Sequence, residues 1–176
     1  EIPDGNKASR GFNLVNLLPL TDGEKVAAMM KATDFSEDKF VNMVTKNGKI
    51  NRTNLSMYKN VRKNGLIAIG LDEGDEIAGV RITDGNAKLF IATRNGMAIY
   101  LEEDKIRPLS RPAHGVKAIK LRDGDCVVSM ARAREGATLL TVTEKGYGKR
   151  TALENYRIQG RGGYGLTNYK VDDERG

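Results

Sequence analysis

Tryptophan is absent from this 176-residue chain, and cysteine and histidine occur once each. Each scarcity closes a class of function. A lone Cys126 excludes an internal disulfide framework and fits a reducing compartment. Its setting, Asp125-Cys126-Val127-Val128, reads as a strand in which the thiol packs as a small apolar group. A lone His114 has no second His or Cys at ligand spacing, so a zinc site is not expected. No P-loop and no Gly-x-Ser-x-Gly elbow occurs, and the six tyrosines sit in no recognisable catalytic motif. Aromatic residues make up only 6% of the chain, too few for a base-stacking surface. No apolar run approaches a membrane span, and no signal-peptide pattern opens the chain. The first residue is Glu, not Met, so we expect a fragment of a longer chain organised as one domain over 1–176.

Charge, by contrast, is plentiful and segregated. The chain has 29 Lys and Arg against 23 Asp and Glu, a formal net charge of +6. Lys39 to Leu71 and Lys105 to Arg122 contain no acid, and Lys145 to Lys170 contains only Glu154. The acids cluster between them, at Asp72 to Glu76, Glu102 to Asp104, and Asp123 to Asp125. A merely solvated surface interleaves the two signs. Segregation in step with a repeat predicts a positive track on one edge, which suits a phosphate backbone.

The repeat itself is marked by turns. Thr45-Lys46-Asn47-Gly48, Thr93-Arg94-Asn95-Gly96 and Thr143-Glu144-Lys145-Gly146 recur at intervals of about 50 residues. Asn-Gly predicts a type I′ hairpin. A second landmark follows at Asn64-Gly65, His114-Gly115 and Tyr164-Gly165, with Arg10-Gly11 as a looser first copy. Between landmarks the text reads as short strands, including Lys88 to Thr93, Met97 to Leu101, Val116 to Leu121, Cys126 to Ala131 and Thr138 to Thr143. Ile82, Phe90, Ile99, Val128, Leu140 and Val142 are the expected buried positions. About four strands in about 50 residues is the signature of a propeller-like blade, so the expectation is an all-β partial propeller of three to four blades. A sandwich would not require landmarks at constant spacing.

The candidate nucleic-acid residues follow from phase. Arg111 and Arg161 stand four residues before the landmark glycine, with Lys7 in that place in the first copy and Arg62 one residue off. Lys120 and Lys170 are one repeat apart, and Arg52 and Arg150 both lie four residues after the hairpin glycine. Arg10, Lys59, Lys63, Arg107, Lys117 and Lys149 complete the expected track. Gly160-Arg161-Gly162-Gly163-Tyr164-Gly165 fits G-x-G-x-x-G, but a strand in repeat register follows where a dinucleotide site needs a helix. A tight connection between blades and a phosphate-contacting loop are both open readings of this segment.

Several long stretches resemble the C-terminal domain of DNA gyrase A, part of a type IIA topoisomerase. They are Ala8-Ser9-Arg10, Val15 to Leu20, Gly70 to Glu76, Ile82-Thr83-Asp84-Gly85, Arg107-Pro108-Leu109 and Gly146-Tyr147-Gly148-Lys149-Arg150-Thr151. The resemblance implies a β-pinwheel whose positive rim binds and wraps duplex DNA. In that family the wrap supports ATP-dependent negative supercoiling by the whole enzyme. The resemblance places catalytic residues, ATP and Mg outside this chain, which itself is expected to need no cofactor. It implies double-stranded DNA, the rest of gyrase A and the companion gyrase B chain as partners, with no membrane, in the bacterial cytoplasm. The family's box, Gln-Arg-Arg-Gly-Gly-Lys-Gly, is matched at five of seven places by Gln159, Gly160, Arg161, Gly162, Gly163, Tyr164 and Gly165. The related topoisomerase IV domain, or a propeller that binds proteins, is the alternative.

Overall fold

The computed structural model describes residues 4–62 and 64–176. Ten strands form in chain order: β1 (Phe40–Thr45), β2 (Lys49–Asn54), β3 (Ile77–Thr83), β4 (Lys88–Thr93), β5 (Met97–Glu102), β6 (Val116–Lys117), β7 (Val127–Ala133), β8 (Thr138–Val142), β9 (Gly148–Ala152) and β10 (Leu166–Thr167). Helix is confined to short 3₁₀ turns, three of which follow β2, β5 and β9. Two antiparallel four-stranded blades result, ordered β3-β1-β2-β6 and β10-β5-β4-β7, and β8 and β9 form a hairpin. The expectation of three to four blades therefore resolves into two complete sheets and one two-stranded sheet. Residues 4–39 contribute one 3₁₀ turn and no strand.

Chain order and sheet order differ in an informative way. β6 lies between β5 and β7 in sequence, yet it pairs with β2 of the first blade, Lys49 opposite Lys117. β10 in turn pairs with β5, Ala98 opposite Leu166. Each repeat thus sends a segment back to the outer edge of the preceding blade, and the blades interlock. These returning strands are shorter than the apolar text suggests. Ala118 and Ile119 both donate to the Gly48 carbonyl, and Asn168 and Tyr169 to that of Gly96, so the ladder ends after two residues.

The hairpins are not type I′. Gly48, Gly96 and Gly146 donate to the carbonyls of Thr45, Thr93 and Thr143, and among the described residues only glycines have positive φ. This is a type I turn closed by a left-handed glycine, the three-residue alternative. Gly96 is required twice over. Its φ is +79°, and a Cβ there would overlap the Tyr169 carbonyl oxygen on the returning segment.

Alternation along each strand divides the core. Leu89, Ile91, Ile99 and Leu101 pack with Val44, Ile50, Ile119 and Met130 between the two blades. The other face of the second blade carries Phe90 and Tyr100, which pack with Leu153 and Tyr156 from the third repeat. Phe90 and Ile99 are buried as anticipated, and Ile82 is partly buried. Val128, Leu140 and Val142 are exposed instead. Val128 is the extra residue of a bulge, since Ala92 faces Ser129 while Thr93 faces Val127. Leu140 and Val142 alternate with the half-buried Leu139 and Thr141, so among the described residues they lie on the open face of β8.

Candidate nucleic-acid interface

β3 and β7 lie side by side, which puts β6 and β10 on the far edges of their sheets. The basic loops belong to these far edges. Loop 107–115 is laced to the first blade: Leu109 N–H donates to the Arg52 carbonyl at 2.7 Å, and Asn51 Nδ2 donates to the Ser110 and Ala113 carbonyls. Loop 157–165 repeats the first of these bonds one blade later, with Gln159 N–H on the Tyr100 carbonyl at 2.7 Å. The arginines also keep their phase in space. Arg111 Nη1 reaches the Ile67 carbonyl at 3.5 Å and Arg161 Nη1 the Lys117 carbonyl at 3.4 Å. Each therefore lies across the seam to the preceding repeat, so successive basic loops touch.

Lys59, Arg62 and Arg111 line one hollow of about 800 Å³ with Gly65 and Ile67. The Arg111 guanidinium stands 6.0 Å over the Tyr58 ring, and its buried Nε has no hydrogen-bond partner among the described residues. Lys120 Nζ sits 4.7 Å over the Tyr164 ring, and Lys149 Nζ 5.8 Å over that of Tyr169. A ring face holds an ammonium without neutralising it.

Carboxylate pairing is sparse along this edge, as it is at Lys25, Lys31, Lys88, Arg94, Arg122 and Arg134 elsewhere among the described residues; what sets the edge apart is that its cations sit on loops that touch. Lys39, Lys46, Lys105 and Arg132 each pair with a carboxylate, as does Lys49 with Asp72. Among the described residues, no carboxylate pairs with Lys59, Arg62, Arg107, Arg111, Lys117, Lys120 or Arg161. The same holds for Lys7, Arg10, Lys149, Arg150 and Lys170, and all twelve except the partly buried Arg111 are exposed. The acidic turns are occupied elsewhere. Asp75 Oδ1 accepts the Asn47 N–H at 3.0 Å, and Asp125 Oδ1 that of Asn95 at 3.0 Å, so these carboxylates cap the hairpin tips. Lys49, and after it His114, hold the Asp72 carboxyl below its ordinary range by hydrogen bonding.

Two expected contacts change place. Arg52 is buried at 6% exposure, with its guanidinium 3.8 Å over the Phe40 ring and Nη1 donating to the Glu103 and Ile106 carbonyls. It cannot touch a phosphate, because its position on β2 points at the next blade. Arg150 has the same register position on β9 and is exposed there, on a sheet face and not among the loops. Lys7 and Arg10 lie on the strandless segment before β1, and Lys63 lies outside the described residues. Arg157 was missed. It is exposed one repeat after Arg107, and that offset was the available signal.

The glycine-rich segment is a staple between repeats. Gly162 N–H donates to the Ala118 carbonyl at 2.6 Å, and the Gly163 carbonyl accepts from Lys120 N–H at 2.8 Å. A Cβ on Gly165, at φ +78°, would overlap the Ala98 carbonyl oxygen. Gly160 and Gly163 stay exposed beside Arg161. Among the described residues no cluster of three or more His, Cys, Asp or Glu is arranged to hold a metal ion.

Interlocked four-stranded blades with unpaired cations on successive outer loops define a propeller-class repeat domain with a basic rim. The family model described as "DNA gyrase C-terminal domain, beta-propeller" matches residues 41–84, 87–134 and 137–175, one segment per repeat, and the chain belongs to this family. DNA gyrase A of Clostridium acetobutylicum is 46% identical, and that of Haloquadratum walsbyi 41% identical, each across 100% of this chain. The chain spans about a fifth of these relatives, 21% of each. A solved DNA gyrase A C-terminal domain superposes with a TM-score of 0.85 at 29% identity, over 97% of this chain and 56% of that one. A topoisomerase IV C-terminal domain gives 0.83 at 28% identity, over 89% and 49%.

Proposed function

We propose that this chain binds and bends duplex DNA along its outer edge with little regard to sequence, as a non-catalytic wrapping module of DNA gyrase A. The observation that carries the reading is the row of unpaired cations on successive touching loops. An unpaired surface cation gains from displacing condensed counterions on DNA, whereas a paired one must first lose its carboxylate. Backbone contacts of this kind position a duplex without reading bases. Smooth bending of a 20–30 base-pair site through 40–90° costs about 1–6 kcal/mol, so several loops must act together. Residues 1–176 serve as one unit in this role, in the cytoplasm, alongside the rest of gyrase A and the gyrase B chain. ATP and Mg act elsewhere in that enzyme, whose supercoiling the wrap supports.

The test is a salt titration with an arbitrary duplex. Log K should fall linearly with log salt at about 0.9 per neutralised phosphate, with a slope that corresponds to several phosphates. A flat response refutes the reading. The chain is also similar to a topoisomerase IV C-terminal domain, and a second reading has the same edge hold DNA without a constrained wrap. Ligating nicked circles with the chain bound separates the two: a linking-number change supports wrapping, and its absence supports the alternative.

A further inference from the structure

We infer that Arg52 is a positioning residue for this edge: from inside the first seam it holds the loop that presents Arg107 and Arg111. The inference rests on the proposed DNA-binding role of that loop. Arg52 holds both ends of the approach to it. Its Nη1 donates to the Ile106 carbonyl at 2.9 Å and the Glu103 carbonyl at 3.3 Å, at the 3₁₀ turn where the loop leaves β5. Its own carbonyl accepts the Leu109 N–H at 2.7 Å, between the two arginines of the loop. Phe40 braces the guanidinium from below at 3.8 Å. Both bonds come from the one nitrogen, and the rigid guanidinium plane seated on the Phe40 ring fixes where that nitrogen stands, which a flexible lysine stem does not.

A buried polar network lies in the same seam. Glu103 is fully buried, and its carboxylate accepts from Asn42 Nδ2 at 3.0 Å and from Ala87 N–H at 3.1 Å. Asn42 Nδ2 also donates to Thr83 Oγ1 at 2.8 Å. The second seam places different residues at these register positions. Asn42 faces Arg52 across the first hairpin, whereas Phe90 faces Tyr100 across the second, and Leu153 opens the 3₁₀ turn where Glu103 opened the earlier one. There the Gln159 backbone bond ties the loop to β5, and an apolar, aromatic cluster stands where the first seam has Arg52. An apolar seam is non-directional, while the first seam fixes orientation through donors and acceptors.

The experiment uses the whole chain and four variants: Arg52→Met, Arg52→Lys, the double variant Arg107→Ala/Arg111→Ala, and that double variant with Arg52→Met added. Duplex affinity is measured against salt, and amide exchange is read at Leu109. Arg52→Met should weaken duplex binding on the order of tenfold and lower the salt slope by up to about two units, the share of two phosphate contacts. Arg52→Lys should fail to rescue it, and Leu109 exchange should accelerate in both. Added to the double variant, Arg52→Met should have no further effect on binding, because it acts through those two side chains. A merely stabilising arginine would weaken binding equally in both backgrounds, and that result overturns the inference, as does an unchanged slope in Arg52→Met. Unaltered exchange at Leu109 also overturns it. If the wild-type chain itself shows no salt-dependent binding, the DNA reading fails and this inference falls with it.

Discussion

Phe90 and Leu140 occupy the same place in successive hairpins, Phe90 opposite Tyr100 and Leu140 opposite Arg150, yet truncating them should have very different costs. Phe90 is 2% exposed, with its ring 4.9 Å from Tyr156 in an edge-to-face arrangement and 6.0 Å from Tyr100. Phe90→Ala removes the ring about which the second seam is packed, and the neighbouring backbone is held by ladder hydrogen bonds and cannot collapse into the space. Such truncations cost about 3–5 kcal/mol, in which lost aromatic pairing contributes about 0.5–1.5 per pair. That is a large share of a total stability of about 5–15 kcal/mol. Leu140 is 67% exposed, and Leu140→Ala should stay within about 0.5 kcal/mol. Urea unfolding reads both. With a slope of about 2 kcal/mol/M, Phe90→Ala should lower the midpoint by roughly 2 M and leave the slope unchanged, while Leu140→Ala should barely move it. Equal shifts for the two variants would refute the assignment of the second seam as a packed interface and the third hairpin as uncovered.

Three other outcomes follow from single sites. Arg161→Ala should weaken every duplex similarly and reduce the salt slope by about one unit with little change in stability, and a sequence-dependent loss would contradict backbone binding. Gly96→Ala combines a positive φ with overlap on the Tyr169 carbonyl, so it should cost more than about 1 kcal/mol in a thermal melt; a neutral result would mean the returning segment is not docked there. Asp72 should matter in acid. Because Lys49 and then His114 lower its folded pKa, its contribution is present above about pH 4 and is lost as pH falls through the lowered value. Asp72→Asn should flatten that part of the acid unfolding curve, and an unchanged curve would show the cluster contributes nothing.

Turn chemistry and spacing determined a good deal alone. Asn-Gly and Lys-Gly landmarks at a near-constant interval, with period-2 apolar text between them, identify four-stranded repeats because only a repeated supersecondary unit keeps such a phase. The same phase drew attention to Arg111 and Arg161, which do sit equivalently across successive seams. Neither landmarks nor alternation can say which blade a returning segment joins, since β6 and β10 pair with residues 66 to 70 positions earlier by backbone bonds that carry no side-chain signature. Burial was the other tertiary decision. Arg52 and Arg150 share a register position, and the sequence treats them alike. One is enclosed because the next repeat's 3₁₀ turn packs over it and offers two carbonyls, and the other is open because no such turn lies over Arg150 among the described residues. Whether a cation is a surface contact or an internal clamp depends on what lies against it, and that is a property of the assembled blades.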